Sequence, residues 1–260
     1  MRVLFIGDIM GSPGRDAAAR ALPFLAQEYG VFDFVIANGE NSAGGFGLTE
    51  RVMNELFSLG IDVLTNGNHV WDKKDIIPFL DSEPRLLRPA NHPDRTPGRG
   101  MGVYEKNGKK LAVISLQGRA FMPPLDCPFQ TAAKLIEGLD VRAVFIDFHA
   151  EATSEKRSLA LWLDGKISAL AGTHTHVQTA DEEVLPGGTA FITDVGMTGG
   201  HAGAIGMTLD SVLPKFLYSI PSKFEVCGKD VKFQGIIVDI DDETGKAMDI
   251  RRKSIALPGK

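Results

Sequence analysis

Four of the six histidines in this chain, His69, His149, His174 and His176, stand just after short apolar runs of the kind that form strands. Asp8, Glu40, Asn41 and Asn68 stand in the same position after other such runs. A rim carrying four imidazoles, two carboxylates and two carboxamides is costly to desolvate unless it coordinates something. Its mixture of nitrogen and oxygen donors suits iron, manganese, zinc or cobalt. His174-Thr175-His176 is the most informative piece. In an extended segment, residues i and i+2 point the same way, so two imidazoles can address two adjacent ions. A carboxylate such as Glu40 can bridge such a pair. Two ions roughly 3.5–4 Å apart are the usual device for in-line phosphoryl displacement. A single structural zinc is the competing reading, but the set lacks cysteine and exceeds what one tetrahedral ion needs.

The elements that must position these residues follow from the pattern of the chain. Val3 to Ile6, Phe34 to Ala37 and Ile61 to Leu64 read as buried strands, as do Val144 to Phe148, Ile167 to Leu170 and Phe191 to Thr193. Arg15 to Tyr29 reads as a helix, with Ser12 as its cap and Pro13 at its start, and Pro23 is expected to kink or shorten it. Further helices are expected over Thr49 to Leu59, Ser154 to Leu163 and Thr208 to Leu217. Strand–helix alternation predicts a parallel sheet covered by helices, and ligands bind such sheets at the carboxyl ends of the strands. Asn107-Gly108 between apolar runs predicts a hairpin. Residues 84 to 100 read as an ordered loop, and strands are expected around Phe233 to Ile240 and Ala247 to Ile255. No repeat or linker interrupts the chain, so residues 1–260 are expected to form a single domain.

Taken in order, Gly7-Asp8, Gly39-Glu40-Asn41, Gly67-Asn68-His69, His149 and Gly172-Thr173-His174-Thr175-His176 resemble the five motifs of the calcineurin-like metallophosphoesterases. The match is closer to the bacterial YmdB-like branch. Here the motifs read Gly7-Asp8-Ile9-Met10-Gly11, Asn38-Gly39-Glu40-Asn41-Ser42 and Gly67-Asn68-His69-Val70-Trp71-Asp72, followed by the stretches Asp147 to Lys156 and Asp194 to Gly199. The wider superfamily usually has a histidine at the place of Met10, an aspartate at that of Glu40 and an acidic residue at that of Val70. These departures fit the YmdB-like branch and weaken any transfer of substrate from the protein phosphatases or purple acid phosphatases.

The resemblance implies an α/β fold, a calcineurin-like sandwich of two β-sheets flanked by α-helices. It implies that Asp8, Glu40, Asn41 and His176 hold one metal, and that Glu40, Asn68, His149 and His174 hold the other. Two transition metal ions, iron or manganese, are the implied cofactors. His69 is implied to be the catalytic residue that protonates the leaving oxygen, as imidazole can near neutral pH, with a metal-bridging hydroxide as nucleophile. The implied activity is a phosphodiesterase on small cyclic nucleotides, with 2′,3′-cyclic nucleotides as the leading class. A phosphomonoesterase is one alternative. A regulatory module that binds nucleotide or RNA, with incidental hydrolysis, is another.

Candidates for touching the substrate are Phe46 and His201. Phe121 and Met122 are further loop residues able to stack on a base. Arg15, Arg119 and Lys156 read mostly as solvated surface, His92 as a surface residue, and Trp71 as packing that orients its loop. The net charge of -5 disfavours extended nucleic acid as a partner and leaves a small phosphate ester as the expected one. Cys127 and Cys227 read as two reduced thiols. With no run long enough for a membrane span or signal peptide, a cytoplasmic location is expected. The apolar segment Phe121 to Pro124 offers a surface for self-association.

Overall fold

The computed structural model describes residues 1–257. Strands β1 (Arg2–Ile6) and β2 (Asp8–Ile9) lead into helix α1 (Gly11–Tyr29), followed by β3 (Phe34–Asn38), α2 (Glu50–Ser58) and β4 (Val63–Thr65). Helix α3 (Ile77–Ser82) precedes the hairpin β5 (Met101–Lys106) and β6 (Lys109–Gln117). Then come α4 (Pro128–Glu137), β7 (Val144–His149), α5 (Thr153–Trp162), β8 (Ala169–Thr173), β9 (Glu183–Val184) and β10 (Ala190–Ile192). The chain continues through β11 (Met197–Gly200), α6 (Leu209–Tyr218), β12 (Val231–Ile240) and β13 (Ala247–Ala256).

These strands form two sheets. One has the order β2-β11-β12-β1-β3-β4, with β13 added to β12; the other runs β5-β6-β7-β8-β10-β9. The strand–helix alternation does give parallel pairs, β1-β3-β4 in one sheet and β6-β7-β8-β10 in the other. The hairpins and β12 add antiparallel neighbours. The inner faces share one apolar core, in which Val3, Phe5 and Ile36 of the first sheet meet Val113, Phe145 and Ala171 of the second. The rings of Phe5 and Phe145 are 5.0 Å apart between centroids. Helices α1 and α2 cover the outer face of the first sheet, and α4 and α5 that of the second. This is the calcineurin-like sandwich. Among the described residues no helix is long and apolar enough to cross a membrane.

Several expectations need correction. Helix α1 begins earlier than expected, with Ser12 inside it and no side-chain cap at Met10, and it runs through Pro23 without ending. Pro23 lies on the exposed side, where water can take the carbonyl that a proline cannot pair. Thr49 does cap α2, accepting from the amide of Val52 at 3.3 Å. Asn107 and Gly108 turn the predicted hairpin with φ of 54° and 75°. Helix α4 was not anticipated. His92 is half-buried edge-on to Trp71, and burial lowers its pKa to about 4, so it is not the surface residue expected. Lys156 is also no surface residue. It is fully buried in α5 and paired with the equally buried Asp194 at 2.8 Å.

Candidate metal centre and its cleft

The carboxyl ends of β1, β3 and β4 in one sheet and of β7 and β8 in the other converge on one rim. Asp8 follows β1, Glu40 and Asn41 follow β3, and Asn68 and His69 follow β4. His149 ends β7, and His174 and His176 follow β8. Close packing depends on glycine here. A Cβ on Gly67 would lie 2.1 Å from the His149 ring, so a side chain there would push that imidazole away. A Cβ on Gly172 would lie 1.8 Å from the Thr193 carbonyl oxygen.

The predicted ligands come together in two groups around Glu40. Glu40 Oε1 lies 3.0 Å from His149 Nε2 and 3.3 Å from Asn41 Nδ2. On one side, His149 Nε2 is 3.1 Å from Asn68 Oδ1 and 3.0 Å from His174 Nδ1. On the other, His176 Nε2 is 3.1 Å from the Asn41 amide and 3.7 Å from Asp8 Oδ1. A half-turn of the Asn41 amide presents its oxygen at the same place. Glu40, His149 and His174 offer donor atoms within 4.8 Å of one another, a cluster able to hold a metal ion.

Each of these imidazoles meets an outer partner through one nitrogen and turns the other to the cluster. His176 Nδ1 donates to the Ile205 carbonyl at 2.9 Å, which leaves Nε2 facing Asn41 and Asp8. His174 Nε2 meets the Glu151 carboxylate at 3.1 Å, which leaves Nδ1 facing His149. The Thr173 hydroxyl gives its proton to Asp147 Oδ1 at 2.6 Å, so it accepts from His149 Nδ1 at 2.9 Å. His149 Nε2 is therefore the nitrogen turned to the cluster. Outer acceptors that set the tautomer of a ligating histidine are characteristic of metal sites.

The electrostatics point the same way. Asp8 Oδ1 is fully buried with no hydrogen-bond partner, an orphaned carboxylate oxygen of the kind a cation satisfies. Burial pushes the Asp8 carboxyl above its usual range, against the pull of His176 and His149. Burial also opposes charge on Glu40, but the nearby His149 and His69 outweigh it and hold the carboxyl down at about 2. Burial disfavours a proton on His149, yet Glu40 and Asp8 raise its pKa to about 9. A cation among these oxygens would compete with that proton. His174 is lowered to about 3 by burial and by His149, so its imidazole is neutral and free to ligate.

His69 is built differently. Its Nδ1 is held by Asp72 Oδ2 at 2.8 Å and its amide donates to Glu40 Oε2 at 3.0 Å. The ring lines the cleft rather than joining the ligand cluster, and Phe46 sits edge-on to it at 5.0 Å. His174 and His176 are not extended as expected. Their φ values of 101° and 63° form a tight left-handed turn, which sends the two rings to different partners. That turn is tied down from behind: Asp194 Oδ2 accepts both the Thr175 amide at 3.1 Å and the Lys156 ammonium at 2.8 Å.

Sequence reasoning missed the supports Asp147, Thr65, Thr173, Lys156 and Asp194. Thr65 and Asn38 also donate to Asp147, at 2.5 and 3.0 Å, and burial pushes the Asp147 carboxyl up to about 6 against His149 and the hydroxyls of Thr173 and Thr65. The available signal was position, since Asp147 precedes His149 by two residues on the same strand face. His201 is not brought to the cleft; its Nδ1 donates to the Gly199 carbonyl. Phe121 is 92% exposed and Met122 packs against the core beneath α4 and α5, and neither lines the cleft. Arg15 bonds Glu55 and the Ser42 carbonyl.

The cleft beside the ligands is a cavity of about 330 Å³. Glu40, Asn41, His69, His174 and His176 give it a polar lining, and Phe46, Ile205, Met207, Phe216 and Phe224 an apolar wall beside them.

Comparison with known proteins shows the family. The family model described as YmdB-like protein matches residues 4–253. A 2′,3′-cyclic-nucleotide 2′-phosphodiesterase of Bacillus subtilis is 52% identical over 254 residues, covering 97% of this chain and 96% of that one. A crystal structure of a hypothetical protein from Thermus thermophilus superposes with a TM-score of 0.94 at 42% identity, covering 99% of this chain and 100% of that one. A crystal structure of a novel phosphatase from Mycoplasma pneumoniae gives a TM-score of 0.93 at 32% identity, covering 98% and 93%.

Proposed function

The chain belongs to the YmdB-like family and is a phosphoester hydrolase, and on that premise we propose that it opens 2′,3′-cyclic nucleotides at a two-metal site. The observation that carries the metal assignment is the anchoring of His149, His174 and His176, each meeting an outer partner through one ring nitrogen with the other turned into the cluster around Glu40 and Asp8. The orphaned oxygen of Asp8 fits the same reading. Asp8, Glu40, Asn41 and His176 would hold one ion, and Glu40, Asn68, His149 and His174 the other, with Glu40 common to both. Two such ions, iron or manganese by the donor set, would activate the attacking water and offset charge on the phosphoryl oxygens.

The chain's own residues supply the rest. The water oxygen adds to phosphorus in line as the P–O2′ bond breaks, and the departing ribose oxygen takes a proton from His69 Nε2; one water proton stays on the new phosphate oxygen and the other returns His69 to its starting state through solvent. Asp72, accepting from Nδ1, keeps the opposite nitrogen of the ring toward the cleft. The choice of substrate and of the bond broken rests on the Bacillus subtilis relative. The two free cysteines suit the cytoplasmic setting we assign.

The test compares 2′,3′-cyclic AMP with 3′-AMP as substrates at equal metal loading. Turnover of the cyclic diester with accumulation of the monoester supports the proposal. Faster release of phosphate from 3′-AMP contradicts it and favours a phosphomonoesterase.

A further inference from the structure

We propose that the apolar end of the cleft is a nucleobase subsite, in which Phe224 and Phe46 stack the base of the bound nucleotide. The inference rests on the hydrolase reading above and adds where the non-reacting part of the substrate goes. Phe46 and Phe224 come from loops 178 residues apart in the chain, yet their rings lie 6.2 Å apart at an interplanar angle of 31°. Both rings are half-buried and line the same cavity as the metal-ligand candidates. The wall continues through Met207, Ile205 and Phe216, of which Ile205 is 57% and Phe216 77% exposed.

Packing alone accounts poorly for this wall. The small cluster under α6 is made of the buried Met10, Met197, Met207 and Val212, of which Met10, Met207 and Val212 also reach the cavity. Phe46 and Phe224 pack on that cluster from the cavity side and keep a face open. The distance to the chemistry fits a nucleoside. The Phe46 ring lies 5.0 Å from that of His69, so a flat group on this wall sits about one ribose away from the proton donor. Gly44, Gly45 and Gly47 all have positive φ, and a Cβ on Gly45 would lie 2.9 Å from Met207 Cε, so the loop presenting Phe46 is folded tightly onto the wall.

The chemistry of the wall also says how the base is recognised. Beyond the metal end, the one charged side chain lining the cleft among the described residues is Lys215, whose ammonium lies 5.6 Å from the Phe224 ring centroid. Among the described residues, the apolar wall includes no carboxylate or carboxamide to read exocyclic groups. Recognition is therefore by stacking, which every base supports and which favours the larger face of a purine.

The experiment measures kcat/KM for 2′,3′-cyclic AMP and for glycerol 1,2-cyclic phosphate, a cyclic diester without a base, on the wild type, Phe224→Ala and Phe224→Leu. The expected result is a wild-type preference for the nucleotide that falls about tenfold in both variants, through KM. Phe224→Leu keeps apolar volume, so it reads stacking even where Phe224→Ala folds poorly. An unchanged ratio in Phe224→Leu overturns the subsite while leaving the hydrolase reading intact. A wild type that turns over neither diester contradicts the hydrolase reading instead. The subsite is then read by calorimetry with 3′-AMP against glycerol phosphate, where equal affinity overturns it.

Discussion

At the metal end of the cleft, Asp8, Glu40 and His149 are buried at strand ends, and His149 and His176 are held from behind by the Thr173 hydroxyl and the Ile205 carbonyl. In the apolar wall, Ile205, Phe216 and Phe224 come from a loop, the solvent face of α6 and the segment before β12, and range from half-buried to exposed. The first region has donors at set distances and little freedom to move. The second has apolar surface and few polar constraints. The difference follows from what each must do. Holding charge near a phosphoryl group needs preorganised dipoles and cations, whereas holding a base needs a flat apolar face.

The contrast is broken most severely at the point where the two ligand groups meet. Glu40→Ala is expected to empty the site of metal and take turnover to background, as measured by metal analysis and by hydrolysis of 2′,3′-cyclic AMP; retention of two metals would refute the shared role of Glu40. Behind the cluster, Lys156→Met leaves Asp194 buried without its partner and is expected to cost about 3–5 kcal/mol in urea unfolding. The double variant with Asp194→Asn removes the unpaired charge and is expected to lose less. Thr173→Val deletes the hydroxyl that links His149 to Asp147 and is expected to weaken metal binding about 10- to 100-fold. At the apolar end the effects are smaller. Phe46→Leu should lower the preference for cyclic AMP over glycerol 1,2-cyclic phosphate about fivefold and leave metal content unchanged.

Legibility from sequence divides along the same line. Asp8, Glu40, Asn68 and His149 were readable because each follows a β-branched or aromatic run, and parallel strands deliver such residues to one rim. His174 and His176 were found by their type, but the backbone carrying them was misread as extended, since left-handed φ at histidine leaves no mark in composition. Lys156 was read as solvated because lysine usually is; its burial depends on a partner 38 residues away. Phe224 escaped notice because no periodicity surrounds it, and its meeting with Phe46 is decided by how β11 and α6 place the following segment.

The central claim is that one set of residues binds metal and another, separate residue moves the proton. It is tested most directly by metal content and turnover of 2′,3′-cyclic AMP on the wild type and His69→Ala. The account predicts two ions per chain in both proteins, with turnover lower by about 10²- to 10⁴-fold in the variant. Loss of metal in His69→Ala, or turnover within a few fold of the wild type, would contradict it.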